Sequence, residues 1–178
     1  MRELTVASLG VDKTSGTPVV ILKEKGGERL LPIWIGPGEA SAIAIELAGI
    51  HLARPLTHDL FTAVARGLGG ELIRVLITKV VDNTYFASLV FHHDGEYVSI
   101  DSRPSDGVAL ALRSEAPLYA DEVLLEVSSI EVEEATFDGE AIDTPPDTGA
   151  FVEAKAVEEP LRDYLKSLRP EDFGRFDL

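Results

Sequence analysis

Strand-like runs, some with weak apolar/polar alternation and some continuously apolar, occur in two separate blocks of the chain. The first block contains three such runs, at residues 4–12, 18–23 and 30–35, and the last two are rich in β-branched or large apolar side chains. Gly26 and Gly27 lie between those two runs, so the pattern predicts a hairpin closed by a glycine turn.

The second block of strand-like residues lies in the middle of the chain. Its runs occupy residues 72–81, 85–91 and 97–100. Asp82-Asn83 and Asp94-Gly95 separate them, and these are residue types that favour tight turns. The block therefore predicts an antiparallel meander.

Three further segments place their apolar residues on one face of a helix, at residues 39–50, 57–68 and 104–113. The first follows a Gly-Pro-Gly turn and ends near Gly49. The second has Thr57 as a predicted N-cap and an apolar stripe made of Leu60, Phe61, Val64 and Leu68. The third begins with Pro104, which suits the first turn of a helix.

The last third of the chain has a different character. Residues 123–132 predict a strand, residues 137–149 an exposed loop, and residues 157–168 a short amphipathic helix. Helices and antiparallel strands are grouped and do not strictly alternate. We therefore predict an α+β fold, in which a largely antiparallel sheet of hairpin plus meander packs with about three helices. The predicted domain spans residues 1–130, and an acidic extension with a loop and the short C-terminal helix spans 131–178.

Composition supports a single domain with a true core, because 45% of the 178 residues are hydrophobic. The apolar runs are far shorter than a membrane span, and the first residues alternate like a strand without a secretory apolar run. The absence of cysteine excludes disulfides, zinc–thiolate sites and thiol catalysis. We therefore expect a cytoplasmic protein that does not associate with membranes.

The net charge of −15 is unevenly placed along the chain. Residues 1–120 carry 11 Lys and Arg against 14 Asp and Glu, whereas residues 121–178 carry 5 against 17. Acidic surfaces repel phosphates, which at first argues against a nucleic-acid partner. The acidity is mainly C-terminal, and it fits either a solubilising surface or a segment that screens or mimics a nucleic acid.

Two polar segments share one layout at predicted helix N-termini. The sequences RPLTHD at 54–59 and DSRPSD at 101–106 each contain an Arg-Pro pair, then a hydroxyl, then an acid. Helix capping accounts for the proline, the hydroxyl and the acid. It does not account for Arg54, Arg103 or His58. Arginine suits bidentate contacts to phosphate or carboxylate, and histidine exchanges protons near neutral pH.

The acids of these segments offer ligands for a divalent cation. Asp59, Asp101 and Asp106, together with Glu39, could bind Mg²⁺ or Mn²⁺ if the fold brings them together. Such a metal would bridge an acidic pocket to a phosphodiester and polarise it. The structural alternative is that arginines pair with these carboxylates and lock the two helix N-termini together. The spacing leaves both interpretations open.

The same segments resemble the bifunctional nuclease family, long described as a domain of unknown function. The resemblance rests on LPIWIG at 31–36 followed by Glu39-Ala40, on RPLTHDL at 54–60, and on RPSD at 103–106 followed by ALALR at 109–113. These motifs occur in the family's order over roughly residues 3–125. Gly107 stands where the family usually has alanine. The ending RPEDF at 169–173 resembles the short ending of many bacterial relatives.

The resemblance implies hydrolysis of phosphodiester bonds in both DNA and RNA. The residues that match the family pattern and are chemically suited to the task are Glu39, Arg54, His58, Asp59, Asp101, Arg103 and Asp106. On this hypothesis the acids bind the cation, His58 handles a proton, and the two arginines hold phosphate oxygens. The alternative is a non-catalytic binding or regulatory module, in which the motifs form a structural clasp or a dimer contact. An antiparallel meander leaves edges that a homodimer could cover.

Overall fold

The two predicted blocks of strands form one sheet. The computed structural model describes residues 1–12 and 15–131. The strands are β1 (Arg2–Val11), β2 (Pro18–Glu24), β3 (Arg29–Trp34), β4 (Glu71–Val81), β5 (Thr84–His93), β6 (Glu96–Ser102), β7 (Leu118–Ala120) and β8 (Ile130–Glu131). The helices are α1 (Pro37–Leu47), α2 (Thr57–Gly67), α3 (Pro104–Ser114) and α4 (Glu122–Ser128).

The strand order across the sheet is β6-β5-β4-β7-β1-β2-β3-β8. The predicted hairpin is β2–β3 and the predicted meander is β4–β5–β6, and both are antiparallel. The short strand β7 joins the two blocks, because it pairs with β1 antiparallel and with β4 parallel. The predicted α+β class is therefore confirmed, as are the antiparallel character of most of the sheet and the three helices that pack on it.

The turns of the meander follow from their residues. Asp82 and Asn83 have positive φ angles of 48° and 59°, and Asp94 and Gly95 have 49° and 82°. Two successive residues with positive φ are what a type I′ hairpin turn requires. Asp, Asn and Gly adopt that conformation most readily, so the local sequence fixes where β4, β5 and β6 begin and end.

The main core lies between the sheet and the helices. Fully buried side chains include Leu22 and Leu31 of the hairpin, Ile43 of α1, and Ile77 of β4. Helix α3 approaches the sheet closely at Gly107, where an added Cβ would lie 2.7 Å from a methyl carbon of Val75. Because α3 packs on β4 and β5 in this way, its N-terminus has a fixed position above the sheet.

The strand predicted at residues 123–132 is wrong. A helix, α4, occupies most of that segment, and only Ile130–Glu131 is a strand. The Asp121 side chain accepts a hydrogen bond from the Val123 amide, which caps the N-terminus of α4 and starts a helix there. The predicted loop at 137–149 and the helix at 157–168 lie outside the described residues, as does the predicted extension beyond Glu131.

Within residues 1–12 and 15–131, no helix is long and apolar enough to cross a membrane. Helix α2 differs from the others in how little of it is buried. Thr62 is its one buried residue, and the predicted apolar stripe of Leu60, Phe61, Val64 and Leu68 is exposed to solvent.

Candidate functional site

The two polar segments form the N-termini of α2 and α3, as their layout predicts. The N-cap residues are Leu56 and Arg103, and both have extended backbone angles. The prediction of Thr57 as N-cap was wrong by one residue, because Thr57 is already helical. Capping comes instead from within the first turn, where the Asp59 carboxylate accepts a hydrogen bond of 2.8 Å from the Leu56 amide.

Arg103 connects the first turn of α3 to the first turn of α1. Its Nε lies 2.7 Å from Asp106 Oδ2 and its Nη2 lies 3.1 Å from Asp106 Oδ1, which is a bidentate pair. Its Nη1 lies 2.8 Å from Glu39 Oε1. The Arg103 side chain is nevertheless 65% exposed. The guanidinium is therefore oriented by two carboxylates while remaining open to solvent.

His58, in the first turn of α2, meets the same aspartate. Its Nε2 lies 3.1 Å from Asp106 Oδ1, and the imidazole is only 16% exposed. No other hydrogen bond of this ring is present within the described part of the chain. Asp106 therefore binds a guanidinium and an imidazole together, and those groups come from the N-terminal ends of two different helices.

The charge state of Asp106 follows from its partners. Burial raises the pKa of this carboxyl, but the hydrogen bonds from Arg103 and His58 outweigh burial and bring the pKa below its ordinary value. Asp106 in turn raises the pKa of Arg103. An ionised carboxylate can only accept hydrogen bonds, so the proton of the contact resides on His58 Nε2. In the neutral imidazole, Nδ1 is then free to accept a proton.

A second cluster lies beside the first and is built on Arg113. The Nε of Arg113 donates to Asp59 Oδ1, its Nη1 to the Ala109 carbonyl at 3.0 Å, and its Nη2 to the Ala42 carbonyl at 3.1 Å. The side chain is 4% exposed. Arg113 therefore ties together α1, α2 and α3, and Asp59, which it holds, is the immediate neighbour of His58.

Asp59 is ionised for the same reason as Asp106. Burial raises the pKa of this carboxyl. The hydrogen bonds from Arg113 and from the Leu56 amide lower the pKa by more than burial raises it, so the net shift is downward. Arg113 is not among the site residues that the sequence predicts. The available signal was an arginine that closes the otherwise apolar ALALR run of α3, at a position where a buried charge needs a partner.

The structure brings together five of the seven predicted site residues: Glu39, His58, Asp59, Arg103 and Asp106. Asp101 is not among them. Leu89 faces α3, and Ile100, which pairs with Leu89, lies on the same face of the sheet. Asp101 is the next residue along β6 and pairs with Ser88, so its side chain lies on the opposite face. Arg54 is exposed, and within the described residues it forms no hydrogen bond or ion pair.

The predicted cation ligands are not arranged as one set. Asp59 and Asp106 each bind an arginine, and Asp101 lies on the far face of the sheet. Over residues 1–12 and 15–131, no group of three or more His, Asp or Glu side chains could hold a metal ion. The residues in this arrangement therefore do not fit the predicted Mg²⁺ or Mn²⁺ site, and a metal requirement stays a prediction.

Comparison with known proteins places this site in context. The model of a family described as "Bifunctional nuclease domain" matches residues 20–133, a range that contains both polar segments and Arg113. An uncharacterized protein of Mycobacterium tuberculosis (strain H37Rv) is 37% identical over 173 residues, which cover 97% of this chain and 98% of that protein.

Two plant proteins are similar over a shorter stretch. Bifunctional nuclease 1 of Arabidopsis thaliana is 32% identical over 111 residues, covering 60% of this chain and 34% of the plant protein. Bifunctional nuclease 2 of Oryza sativa subsp. japonica is 27% identical over 112 residues, covering 61% of this chain and 34% of that protein. About a third of each plant protein is therefore similar to this chain.

Proposed function

The chain belongs to the bifunctional nuclease family, and on that premise we propose that it hydrolyses phosphodiester bonds of nucleic acid. The observation that carries the proposal is the contact between His58 and Asp106 at 3.1 Å, made beside the exposed guanidinium of Arg103. A group suited to proton transfer, His58, and a group suited to phosphate binding, Arg103, thus contact the same carboxylate, that of Asp106. Both come from motifs that define the resemblance to the family.

His58 acts as the proton-transfer residue in this proposal. Asp106 fixes the ring orientation and holds the proton on Nε2, so Nδ1 accepts a proton from the attacking water. The water oxygen forms a bond to phosphorus, and the bond from phosphorus to the leaving oxygen breaks. The leaving oxygen takes a proton from the imidazolium, which restores neutral His58. If solvent supplies that proton instead, the imidazolium releases its own proton to solvent before the next turnover.

Arg103 holds the phosphate. A guanidinium has five N–H donors, and contacts to Asp106 and Glu39 use one donor on each nitrogen. One donor on each terminal nitrogen is left for the non-bridging phosphate oxygens and for the negative charge that develops on them. Arg54, exposed and without an ion pair in the described residues, is proposed to hold a neighbouring phosphate.

These groups contact the phosphate and the attacking water. Their action requires neither a particular nucleobase nor the 2′-hydroxyl of RNA. This supports action on both DNA and RNA with little sequence specificity. The net charge of −15 opposes a polyanionic substrate only in part, because residues 1–120 are close to charge balance.

A specific observation favours a second function, a non-catalytic binding or regulatory module. Asp59 and Asp106 are each paired with an arginine, and these pairs join three helices. Such pairs also suit a structural clasp. This second proposal expects no nuclease activity in the wild type and a large fall in melting temperature when the pairs are removed.

The two proposals separate in a cleavage assay on end-labelled single-stranded RNA and DNA. His58→Ala should lower the cleavage rate about 10²–10⁴-fold, which is the usual contribution of a general acid or base. The matched control is His93→Ala. His93 also contacts an aspartate, Asp94 at 3.3 Å, but lies exposed at the end of the β5–β6 hairpin. Its removal should leave the rate unchanged.

Circular dichroism and melting curves of every variant show whether a lost rate reflects lost structure. Parallel reactions with EDTA, Mg²⁺ and Mn²⁺ test the predicted cation separately. Cleavage that persists in His58→Ala would remove this residue from the mechanism and indicate a contaminating nuclease. Absence of cleavage by the wild type under all metal conditions, with destabilised variants, would support the module.

A further inference from the structure

Helix α2 turns its apolar stripe toward solvent. Leu60, Val64 and Leu68 follow one another at four-residue spacing and are 54%, 51% and 71% exposed. Phe61 lies beside them and is also exposed. An apolar stripe on a helix is normally directed at a core or at a partner, because leaving it in water forfeits the free energy of burial.

Strand β6 continues this apolar surface. The ring centroids of Phe61 and Phe91 are 6.3 Å apart, and Phe91 lies directly opposite Val98 of β6. Val98 and Ile100 point to the helix-bearing face and are exposed. We call the six exposed side chains Leu60, Phe61, Val64, Leu68, Val98 and Ile100 the α2–β6 patch.

The α2–β6 patch is large for a monomeric protein, and patches of this size often mark an interaction site. Its six side chains present on the order of 500 Å² of apolar surface, near the top of the range for the largest patch of a monomeric protein. Two copies that cover this patch on each other would bury about 1,000 Å², which is the lower bound for a specific interface.

The unpaired edge of β6 borders the patch and indicates which kind of surface could cover it. Among the described strands β6 lies at one end of the sheet, so one row of its backbone N–H and C=O groups has no strand partner. The strand has no proline, no lysine and no bulge against β5, three of the usual protections of an edge, and its two charged residues are Glu96 and Asp101. The complement of such an edge is another strand.

The sequence of β6 is complementary to itself in one antiparallel register. When a two-fold axis passes through Ser99, Val98 faces Ile100 of the second copy on the helix-bearing face, and Tyr97 faces Asp101 on the other face. Glu96 faces Ser102, so no two like charges are opposed. A shift of the axis by one residue would place Glu96 against Ile100 or Val98 against Ser102.

We infer that two copies of this chain associate through β6, which extends the sheet across a two-fold axis at Ser99 and covers the α2–β6 patch. The inference concerns a surface other than the His58–Asp106 contact and stands whether or not the chain cleaves nucleic acid. The occupant is a second copy of this chain. The β6 edge of each copy would pair with the β6 edge of the other, and the apolar side chains beside it would cover each other.

A single-cysteine variant tests the register directly, since the chain has no cysteine of its own. In Ser99→Cys the two sulfurs belong to directly opposed residues, whose Cα separation of about 4.5–5.5 Å allows a disulfide. Mild oxidation should give a covalent dimer on a non-reducing gel. Glu96→Cys is the matched control on the same strand and should stay monomeric on the gel, because its equivalent lies about 20 Å away across the axis.

Light scattering of the full chain supplies the second measurement. The wild type should have the mass of a dimer, and Val64→Glu should raise the dimer dissociation constant at least about tenfold, equivalent to 1.4 kcal/mol. Val123→Glu, at an exposed apolar residue of α4, should leave it unchanged. A monomeric wild type would overturn the inference, whether residues 132–178 cover the patch or nothing does. Equal cross-linking of Glu96→Cys and Ser99→Cys would overturn it as well.

Discussion

Helices α2 and α3 begin with the same kind of motif and have the same length of 11 residues, but their surroundings are opposite. Seven residues of α3 are buried, against one of α2. Arg103, before α3, is held by Asp106 and Glu39, whereas Arg54, before α2, forms no ion pair in the described residues. The shared local pattern therefore determines where each helix begins. The packing around the helix determines which groups its arginine contacts.

The difference arises from the residues inside each helix. Gly107 and Ala111 lie one turn apart and give α3 a narrow, buried face, which lies close to the sheet at Gly107. Helix α2 has no comparable face, and two polar contacts attach its first turn to α3, namely His58 to Asp106 and Asp59 to Arg113. Helix α3 is therefore the rigid support, and the position of His58 depends on it.

The largest stability effect should distinguish the buried arginine from the exposed one. Arg113→Ala leaves Asp59 without its cation and two backbone carbonyls without donors, and should lower the free energy of unfolding by about 3 kcal/mol. Arg54→Ala should change it by less than about 0.5 kcal/mol, as expected for an exposed residue without partners. Urea denaturation followed by circular dichroism measures both. Similar losses for the two variants would contradict the asymmetry between the helices.

The close approach of α3 to the sheet can be tested at Gly107. An alanine there would meet a Val75 methyl carbon at 2.7 Å, and Gly107→Ala should cost about 1 kcal/mol through overpacking. Gly38→Ala in α1 has open space around the new methyl, and should be neutral or stabilising by up to about 1 kcal/mol. Thermal unfolding of both variants gives the comparison. The cost at Gly107 should shrink in a Val75→Ala background, and an undiminished cost would argue against this contact.

Acid should weaken the attachment of α2 to α3. The pKa values of Asp59 and Asp106 are lowered in the folded chain, so their stabilising contribution is present above the ordinary Asp pKa of about 4 and is lost as the pH falls through the folded values. Unfolding free energy measured from pH 6 to pH 3 should therefore fall less steeply in Asp106→Asn than in the wild type. Asp94→Asn, which removes an exposed carboxylate, should follow the wild type.

The smallest effect is expected at Asp101, which the sequence grouped with the catalytic acids but the fold places on the other face of the sheet. Asp101→Asn should change stability by less than about 0.5 kcal/mol and leave cleavage unchanged. Cleavage rates on the same RNA and DNA substrates provide the measurement. A loss as large as that of His58→Ala would show that the active arrangement differs from the one described and would revive the three-carboxylate cation site.

Periodicity and turn chemistry were sufficient to predict most of the elements, and the reasons for the failures are physical. The segment after Asp121 is rich in apolar residues that suit a strand or a helix equally, and the Asp121 cap decides for the helix. Strand β7 has only three residues and was missed, although it is the strand that joins hairpin and meander into one sheet. Pairings of this kind depend on contacts distant in sequence.

The sequence predicted most of the residue types in the site. It was less informative about which side chains form hydrogen bonds or ion pairs with one another. The unexplained arginine and histidine pointed to Arg103 and His58, and the structure places both on Asp106. Arg113 was missed because a buried arginine at a helix end has the same local pattern as an exposed one. The apolar stripe of α2 was predicted, but periodicity shows that a helix has an apolar face and does not show what covers it.

The central claim is that His58 and Asp106 act as one unit on the phosphodiester bond. A double-mutant cycle on kcat/KM tests it most directly, with the wild type, His58→Ala, Asp106→Asn and the double variant assayed on one RNA substrate. If the two residues act together, the double variant will be no slower than the slower single variant, because either change alone already breaks the unit. Losses that multiply in the double variant would contradict the account, since they would mean that the two side chains contribute independently.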